Sequence, residues 1–538
     1  MIATVPPTFP VLSYHRLILF GLSVAFALSY TQSPLYWSNQ NQYFLHGLAA
    51  AEEGQLARDW LAQTIDPTPV FSGFVAFTAR YLHKFVVFQG LYFLALMAYF
   101  RFLLAVGVKV VFRDSPNARR IYLLAVLLIL VHGAAIRFLS TSAVGLDYPW
   151  YLQAGVAGQY ILGPGLQPSV SGIFLLGAVA AFLYDRNKRT IGAIVFSCMI
   201  HPTYLLPAAL LTIAFMTILL RNHSAKKALT FGSLVLLLVI PIVISAYLSF
   251  SPTAPDLFTE SQIIIAEFRI PHHAQIDRWF DTIAALQIGW LALAICLVRR
   301  HRIFLVLLIP ALTAIVLSII QYLTKNPTLA LFFPWRISAI LIPIATVINL
   351  GYLSRLAPER AFITHLATVV LGMAVGGGIA IMATGIGFGT DDRELPVLKF
   401  IRDNQRSGDC YLIPVRIPKA NPKVRGVVST TFTPPPRGNQ NVLIVVDLQR
   451  FRLFTGVPIY IDFKSIPYKD RDVIEWRRRV DNSVHWLAQD YRLMDADFAA
   501  MKQVGITHIL VPAERSLEGT GLKIEYSDDY YKIYRLNN

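Results

Sequence analysis

The sequence predicts a polytopic α-helical membrane protein with a small α/β domain at its C-terminal end. Hydrophobic residues make up 55% of the 538-residue chain and charged residues 15%, and the mean hydropathy is +0.52; soluble domains carry about 25% charged residues. Several stretches of roughly 20 apolar residues match the hydrocarbon thickness of a bilayer. No such stretch follows residue 390. The chain therefore divides into a multi-span part, 1–390, and a soluble domain, 391–538.

Nine apolar stretches predict membrane segments. They are Leu17–Tyr36, Phe85–Val108, Ile121–Leu139, Gln167–Tyr184, Leu229–Phe250, Thr282–Val298, Ile303–Tyr322, Ile337–Leu353 and Ala361–Ile386. A further region, Thr190–Leu220, is interrupted by Pro202 and Pro207 and has a basic loop at each end. Two segments that meet at His201-Pro202 would keep both basic ends on one side of the membrane. The prediction is therefore about 11 segments.

The loops alternate in charge, and this alternation predicts the orientation of the chain. Ten of the 13 acidic residues before position 391 fall in three loops, within 52–66, at Asp147 and within 256–281. The short loops between them are basic, and Lys and Arg in short loops stay in the cytoplasm. These loops contain Arg113, Arg119 and Arg120; Arg186, Lys188 and Arg189; Arg221, Lys226 and Lys227; Arg299, Arg300 and Arg302; and Arg355 and Arg360. We expect a multi-pass protein of the plasma (inner) membrane with a cytoplasmic N-terminus and an extracytoplasmic C-terminal domain.

The net charge of +16 is explained by this topology and not by a nucleic-acid partner. Residues 1–390 hold 25 Lys and Arg against 13 Asp and Glu, and most of these basic residues lie in the predicted cytoplasmic loops, where they would contact anionic lipid. Membrane lipid is therefore an expected partner, and nucleic acid is not. The three cysteines indicate no disulfide framework. Leu17–Tyr30 reads as an uncleaved signal anchor, since no small-residue cleavage site follows it.

The region after residue 390 alternates short β-branched runs with helix-like stretches, which predicts an α/β domain. The predicted strands are Tyr411–Val415, Val442–Asp447, Ile459–Phe463, His508–Val511 and Tyr531–Tyr534, and the predicted helices are Glu394–Asn404, Asp470–Val480 and Ala496–Val504. The Pro- and Gly-rich stretch Thr431–Gln440 predicts a loop or flexible flap.

The first outer loop, residues 31–84, contains the candidate catalytic carboxylates. A loop of this length is usually functional. Asp59 is followed by Trp60, whose indole would anchor at headgroup depth and hold the carboxylate beside lipid phosphates. Glu52, Glu53 and Asp66 are the competing candidates. The alternative for all four is a solvated or helix-capping carboxylate.

A second set of residues has the chemistry to bind a phosphate or a lipid headgroup. An ionisable group at the end of a buried span indicates function, and Arg suits bidentate phosphate recognition. For each residue a structural role, such as a helix kink, snorkelling or a βα corner, is the alternative. The candidates are His201 and Tyr204 at the broken segment, Arg269, His272 and His273 in the third outer loop, Arg336 at the start of a span, and Arg452 and Lys464 (with Asp447 and Asp462) in the distal domain.

This layout resembles the GT-C superfamily of polytopic glycosyltransferases, which use polyprenyl-phosphate-linked sugars. The shared features are a long acidic first outer loop, about 11 segments, a broken helix pair in mid-chain and a distal α/β domain. No Asp-x-Asp occurs in the first loop, and the Trp-Trp-Asp-Tyr-Gly signature of oligosaccharyltransferases is absent. The run Phe451–Tyr468 also resembles part of an uncharacterised group of bacterial membrane proteins.

The resemblance implies a transferase in which an acidic residue of the first loop is the general base; the matching position is Asp59, with Glu52-Glu53 in competition. A polyprenyl-phosphate-linked sugar would donate a hexose or pentose to an acceptor glycan, lipid or protein, and Arg269, His272 or Arg336 would stabilise the departing phosphate. The resemblance implies no certain cofactor, and it leaves a divalent cation, Mg²⁺ or Mn²⁺, open. Two other functions stay open: a flippase or transporter for a lipid-linked glycan, and a non-catalytic assembly component of an envelope polysaccharide system.

Overall fold

The computed structural model describes residues 13–37, 39–82, 86–114, 116–222, 224–358, 360–385, 392–415, 417, 448–488, 492–519 and 521–537. The predicted loop Thr431–Gln440 and the predicted strand Val442–Asp447, with the candidate Asp447, lie outside these residues.

The described part is mostly helical. Its α-helices are α1 Ser13–Tyr30, α2 Gln40–Tyr43, α3 Leu45–Ala50, α4 Pro69–Phe77, α5 Val86–Val111, α6 Ala118–His132, α7 Ala134–Val144, α8 Tyr148–Tyr151, α9 Gly172–Leu183, α10 Asn187–Ile200, α11 Leu205–Asn222, α12 Ala225–Phe250, α13 Pro255–Ile263, α14 Pro271–Ala274, α15 Ile276–Trp279, α16 Thr282–Leu297, α17 Ile303–Thr324, α18 Pro327–Leu331, α19 Ser338–Leu356, α20 Ala361–Thr384, α21 Leu395–Asn404, α22 Phe451–Thr455, α23 Asp470–Trp486 and α24 Asp495–Gln503. Short 3₁₀ turns at Leu56–Arg58, Leu61–Gln63, Val156–Gly158, Pro168–Ser171, Pro202–Tyr204, Pro334–Ile337 and Asp392–Glu394, and π-helical turns at Thr78–Leu82 and Ile264–Arg269, join or extend them.

The protein is polytopic, but fewer helices are long enough to cross a bilayer than the sequence predicted. Among the described residues six helices are long and apolar enough, or seven if α6 and α7, which are bent by 52° at Gly133, form one span. The predicted segments 17–36, 167–184 and 282–298 correspond to shorter apolar helices. The first ends at Tyr30 because Thr31 adopts a left-handed conformation with φ 69°. The described residues thus show a polytopic helical protein with six or seven helices long enough to cross a bilayer, where the sequence predicted about 11 segments.

The prediction of a break in mid-chain agrees with the structure. α10 ends at Ile200, His201 is extended with φ −140°, and the turn Pro202–Tyr204 leads into α11. The residue before a proline avoids the helical region, so the helix ends there. The break leaves His201 and Tyr204 buried where the two helices meet.

Helix α19 forms the centre of the bundle and is buried along most of its length. It packs against α5, α6 and α16. Gly107 lies against Val347, and Gly351 lies against Val111. An added Cβ at Gly107 would lie 2.7 Å from the Val347 side chain, and one at Gly351 would lie 2.9 Å from that of Val111. These close approaches fix α19, which directly follows the 3₁₀ turn that carries Arg336.

The C-terminal region contains a four-stranded mixed sheet, as the α/β prediction requires. The strands are β1 Tyr411–Leu412, β2 His508–Pro512, β3 Leu522–Ser527 and β4 Tyr531–Leu536, in the order β1-β2-β4-β3. β1 and β2 are parallel, and the other pairs are antiparallel. The segment predicted as strand 459–463 makes only a single bridge, Ile459 to Tyr411. β3 was not predicted, because its side chains are largely exposed and lack a buried apolar pattern.

The loop after α1 lies against the C-terminal domain. The amide of Gln55 donates to the carbonyl oxygen of Gly456 at 2.7 Å. Gly54 has φ +55°, and a Cβ built on it would lie 2.5 Å from that same carbonyl oxygen. The contact therefore requires glycine on the loop side, both for its conformation and for its lack of a side chain. It brings residues 52–66 next to residues 448–468.

Candidate functional site

A cavity with about 280 Å³ of empty volume lies at the helix ends, and Gln159, His273 and Arg336 are among the residues that line it. Of the predicted phosphate-binding residues, His273 and Arg336 therefore face this cavity. Five others are linked to these two by ring contacts or by electrostatic effects, directly or through one another: His201, Tyr204, Arg269, His272 and Lys464. The remaining one, Arg452, pairs with Asp59 and Asp462.

One wall of the cavity is built around Arg336. Its Cζ lies 5.0 Å from the ring centroid of Tyr204, and its Nη1 donates to Oε1 of Gln159 at 2.7 Å. The ring of His201 lies 5.7 Å from that of Tyr204 and 5.9 Å from that of Tyr43. The break between α10 and α11 thus supplies two rings to this wall, and neither partner of Arg336 is charged. We call these residues the Arg336 wall.

The opposite wall is built around Arg269, at the end of the π-helical turn. Its Nη2 donates to the carbonyl oxygen of Lys464, and its Cζ lies 5.3 Å from the ring of Phe463. Arg269 is only 7% exposed, and burial lowers the pKa of its guanidinium. Its charge acts on the neighbouring His272 and Lys464. We call Arg269, His272 and Lys464 the Arg269 wall.

His273 lies between the two walls. Its Nδ1 is 2.6 Å from the carbonyl oxygen of Ala157, and its ring is 4.2 Å from that of His272. Burial, partly offset by the Ala157 hydrogen bond and reinforced by Arg336 and Arg269, lowers the pKa of His273 to about 4. Burial and the adjacent His273 place the pKa of His272 well below its usual value. Both rings are therefore neutral at physiological pH and contribute hydrogen bonds rather than charge.

Lys464 is the most strongly perturbed amine of the cavity. Burial and the nearby Arg269 lower its pKa to about 7, although the Asp462 carboxylate acts in the opposite direction. An amine with this pKa titrates in the physiological range. Any anion that binds beside it would favour its charged form.

Asp59, the leading candidate for the catalytic base, lies behind the cavity wall and does not face the cavity. Its side chain is fully buried; Oδ2 accepts from Nε of Arg452 at 2.8 Å and from the amide of Ile459 at 3.1 Å, and Oδ1 accepts from the amide of Leu61 at 3.0 Å. A general base must reach the proton of the acceptor hydroxyl. The arrangement of Asp59 does not fit that role, because protein donors occupy both oxygens and exclude solvent.

Arg452 bridges Asp59 to the cavity. Its Nη1 forms an ion pair with Asp462, whose Oδ1 accepts the amide of Ser465 at 2.5 Å. Asp462 thus holds the turn that carries Lys464. The predicted role of Arg452 in binding phosphate is replaced by a structural one, since its guanidinium is buried between two carboxylates.

The other first-loop carboxylates lie in three different environments. Glu52 is exposed and forms an ion pair with Arg80 at 3.0 Å. Glu53 is half-buried, close enough to influence Tyr36. Asp66 is also half-buried, and its Oδ1 accepts the amide of Thr68 at 2.8 Å.

Asp66 is the first-loop carboxylate that faces a pocket. This pocket has about 270 Å³ of empty volume and is lined by Gln42, Tyr43, His46, Leu61, Thr64, Ile65, Asp66, Pro67, Thr68, Ile466 and Pro467. It adjoins the cationic cavity, because Tyr43 belongs to both and residues 466–467 continue the turn that holds Lys464. Asp66 is therefore the carboxylate best placed to act next to the cavity.

The donor set of the cavity suits an anion and not a metal ion. Within the described ranges no group of three or more His, Cys, Asp or Glu is placed to hold a metal. The site itself contains Arg, Lys, neutral His and Tyr. Mg²⁺ and Mn²⁺ prefer carboxylate oxygens. The positive charges of Arg and Lys would repel these ions, and the nitrogen atoms of His would bind them poorly.

Sequence reasoning missed the cavity residues Tyr43, Gln159, Tyr160 and Tyr468. Tyr160 accepts from Nδ2 of Asn39 at 3.0 Å, and Tyr468 accepts from Nε2 of Gln42 at 3.2 Å. Each lies far in the chain from its partner, so only the fold brings them together. The polar run Asn39–Gln42 between apolar neighbours was the available signal, since buried amides need partners.

One family match falls on the part of the chain that closes the cavity. Residues 438–483 match a family described as a domain of unknown function, DUF6798. No curated protein matches the chain. The matched segment includes Arg452, Asp462 and Lys464, and it covers the run Phe451–Tyr468 that resembles an uncharacterised bacterial group.

Proposed function

We propose that the protein is a membrane glycosyltransferase that moves a sugar from a polyprenyl-phosphate carrier to an acceptor hydroxyl at the extracytoplasmic face. The observation that supports this most strongly is the pair of guanidinium groups, Arg269 and Arg336, which both act on His273. Arg269 is buried and Arg336 is half-buried. Among the described residues neither forms an ion pair, although Asp462 acts on Arg269 from a longer distance, and the Nε atom of each is buried without a hydrogen-bond acceptor. Charges removed from water are normally paired, so an anionic ligand is expected to complete the site.

A phosphate ester fits this environment better than a carboxylate or a free sugar does. Guanidinium groups recognise phosphate oxygens bidentately. Tyr43, Tyr160 and Tyr204 surround the cations with hydroxyls, and the rings give apolar walls next to the helix bundle. A polyprenyl tail would lie along the apolar helices, while its phosphate would enter the cavity at their ends.

The reaction follows from these groups. The acceptor oxygen attacks the anomeric carbon, the bond from that carbon to the carrier phosphate oxygen breaks, and the electron pair leaves with the phosphate. Arg269 and Arg336 stabilise this developing charge. Asp66 accepts the proton of the acceptor hydroxyl as general base. No separate acid is needed, because the phosphate is already a good leaving group.

A transfer assay tests this function. Membranes that contain the protein would be supplied with polyprenyl phosphates carrying radiolabelled hexoses or pentoses, with acceptor membranes from a gene-deleted strain of the source organism. We expect label to leave the carrier with the wild-type protein. Transfer should be lost in Asp66→Asn and in Arg269→Gln.

Two exposed residues provide matched controls. Glu52→Gln removes a first-loop carboxylate that lies outside the pocket, and Arg278→Gln removes an exposed guanidinium of the same region. Both should retain transfer. Carrier movement between leaflets without loss of label from the carrier would favour a flippase, and full transfer by Asp66→Asn would remove that residue from the mechanism.

A further inference from the structure

We propose that the 280 Å³ cavity beside Arg336 is a subsite for an uncharged sugar ring. Apart from Arg336, the side chains that line it carry no formal charge, and the polar ones include Ser318, Gln321, Trp279 and Trp335. The inference rests on the proposed function and deepens it, because it assigns a place to the sugar of the donor. It follows from polar groups that have no protein partner and from two strained residues, all of which line this one cavity.

Helix α17 turns two polar side chains towards the cavity. Ser318 and Gln321 lie one turn apart, and both residues are buried, with 9% and 8% of their surface exposed. Among the described residues neither side chain forms a hydrogen bond, whereas the hydroxyls of Thr313 and Thr324 on the same helix donate to backbone carbonyl oxygens one turn earlier. Buried polar groups are normally hydrogen-bonded. The hydroxyl and the amide are therefore expected to bond to a ligand.

Trp335 adds a hydrogen-bond donor to the same cavity. The residue is 4% exposed, and its Nε1 atom is buried with no acceptor within the described part of the chain. Other indoles of the protein are satisfied: Nε1 of Trp290 donates to Oγ1 of Thr346 at 2.9 Å, and Nε1 of Trp476 donates to a backbone carbonyl oxygen at 3.2 Å. An indole N–H can only donate. The missing partner of Trp335 is thus an acceptor such as a hydroxyl oxygen.

Two residues that line the cavity have backbones in the left-handed region. Ala157 has φ 57° and ψ 31°, and Phe333 has φ 48° and ψ 67°. Residues other than glycine rarely adopt this conformation, and it is held at binding sites more often than elsewhere. Ala157 is kept in place by His273, whose Nδ1 lies 2.6 Å from its carbonyl oxygen. The strain is an observation independent of the unpartnered polar groups, and it also indicates a ligand site.

The chemistry of the lining favours a sugar ring over a lipid tail or a second anion. A tail would leave the indole, the hydroxyl and the amide unpaired, which costs free energy. A second anion would find no further cation, because Arg336 is the one charged residue among those that line the cavity. Sugar hydroxyls both donate and accept, and the apolar face of a sugar ring can pack on an indole. The rings of Trp279 and Trp335 lie 6.2 Å apart at 68° and form such a corner.

The position of Arg336 connects the subsite with the proposed phosphate site. Arg336 lines the cavity and is one of the two guanidinium groups proposed to bind the phosphate of the carrier. In the donor the sugar is bonded directly to that phosphate. A phosphate held by Arg336 would therefore place the ring in the adjoining cavity, and the ring would belong to the donor and not to the acceptor.

Binding of free sugars to the full-length protein in nanodiscs tests the proposal. Saturation-transfer NMR would be recorded with glucose, galactose, mannose, N-acetylglucosamine, xylose, arabinose and rhamnose, and with cyclohexanol as a ring that has a single hydroxyl. We expect at least one sugar to bind and cyclohexanol not to bind. Trp335→Phe keeps a flat ring but lacks the N–H, and it should weaken sugar binding about two- to tenfold, the effect of one neutral hydrogen bond. Gln321→Leu should weaken binding at least as much.

Two matched controls separate a binding role from a structural one. Thr324→Val removes an exposed hydroxyl from the same helix, and sugar binding should be unchanged. Trp290→Phe removes an indole N–H that has a protein acceptor, and it should lower the unfolding temperature of the ligand-free protein. Trp335→Phe should not lower that temperature, because its N–H has no acceptor to lose. A clear fall in that variant would mean that the indole has a structural partner, which contradicts the proposal.

The remaining outcomes distinguish this inference from the proposed function. If no sugar of the panel binds, or if Trp335→Phe and Gln321→Leu both bind sugar like the wild type, the subsite is overturned and the transferase stands. Sugar binding that depends on these residues, without transfer of any sugar, would retain the subsite and contradict the transferase. Where transfer is observed, Trp335→Phe should raise the KM for the labelled carrier; a raised KM for the acceptor alone would overturn the assignment to the donor.

Discussion

Nε of Arg452 lies 2.8 Å from Oδ2 of Asp59, a residue 393 positions earlier in the chain. Both side chains are buried, and the second arm of Arg452 holds Asp462. The ion pair thus joins the loop after the first helix to the turn that carries Lys464. Its position behind the cavity wall makes Asp59 a positioning residue, one that acts on the site through Arg452 and Asp462.

Substitution of Arg452 should lower the free energy of unfolding more than substitution of Asp59 does. Arg452→Met leaves the buried Asp59 and the partly buried Asp462 without their shared cation, and we expect a loss of about 3–5 kcal/mol. Asp59→Asn leaves Arg452 paired with Asp462, so its loss should be smaller. Chemical unfolding of the purified variants in detergent measures both.

A catalytic Asp59 would behave in the opposite way. Asp59→Asn would then abolish sugar transfer at unchanged stability and unchanged affinity for the carrier. For a positioning residue, carrier affinity and stability should fall together. The double variant Asp59→Asn with Arg452→Met should destabilise less than the sum of the two single changes, because the residues interact.

The close approach of Gly54 and Gly456 should not tolerate a side chain on the loop. Gly54→Ala would place a methyl group 2.5 Å from the Gly456 carbonyl oxygen at a φ of +55°, and a strained residue of this kind costs about 1–3 kcal/mol. We expect faster proteolysis within residues 52–66 and weaker carrier binding. Gly505→Ala, which has φ +84° but nothing near its Cβ, is the control for backbone strain alone.

Carrier binding should weaken as the pH rises above neutrality. Burial and Arg269 lower the pKa of Lys464 to about 7 in the free protein, and a bound phosphate would raise it. The complex therefore takes up a proton above pH 7, and affinity should fall between pH 7 and 9, where a phosphate monoester is already fully ionised. Lys464→Arg should flatten this dependence; an unchanged slope in that variant would rule out Lys464 as its source.

The lowered pKa of Lys464 also predicts how the free energy of unfolding depends on pH. The folded-state pKa of Lys464 lies below its ordinary value of 10.5, so the unfolded chain binds more protons between about pH 7 and 10.5. The contribution of Lys464 to the free energy of unfolding should therefore rise with pH across that window. Lys464→Gln should remove this contribution.

Cysteine labelling tests the predicted orientation. Glu52→Cys would place a thiol at an exposed position of the first loop, and Lys226→Cys would place one in a short basic loop. In intact cells a membrane-impermeant maleimide should label the first and reach the second only after lysis. The reverse pattern would invert the topology and place the cavity in the cytoplasm.

The sequence predicted the broad organisation because hydropathy and proline carry those signals locally. The break at His201-Pro202, helices α21, α23 and α24, and strands β2 and β4 all agree with the structure. Among the described residues fewer helices are long enough to cross a bilayer than the apolar runs predicted. The run 167–184, for example, forms a 3₁₀ turn at Pro168–Ser171 followed by the 12-residue helix α9.

The sequence predicted the cationic residues of the candidate site. It did not predict that Asp66, and not Asp59, would be the first-loop carboxylate beside a pocket. Arg and His next to span ends are detectable one residue at a time, and Arg269, His272, His273 and Arg336 do lie close together in the structure. The burial of Asp59 depends on Arg452, and no local sequence pattern identifies a partner that lies 393 positions away. The sequence favoured Asp59 over Asp66 because of the adjacent Trp60, whereas in the three-dimensional arrangement Asp66 is the one that lines a pocket.

The most direct test of the account is a cryo-EM structure of the full-length protein with an antibody fragment and farnesyl phosphate. The account predicts phosphate density in the cavity, within hydrogen-bonding distance of the guanidinium groups of Arg269 and Arg336, with Asp59 still paired with Arg452. Phosphate density at another place on the protein, with the cavity arginines unchanged and empty of ligand, would contradict it.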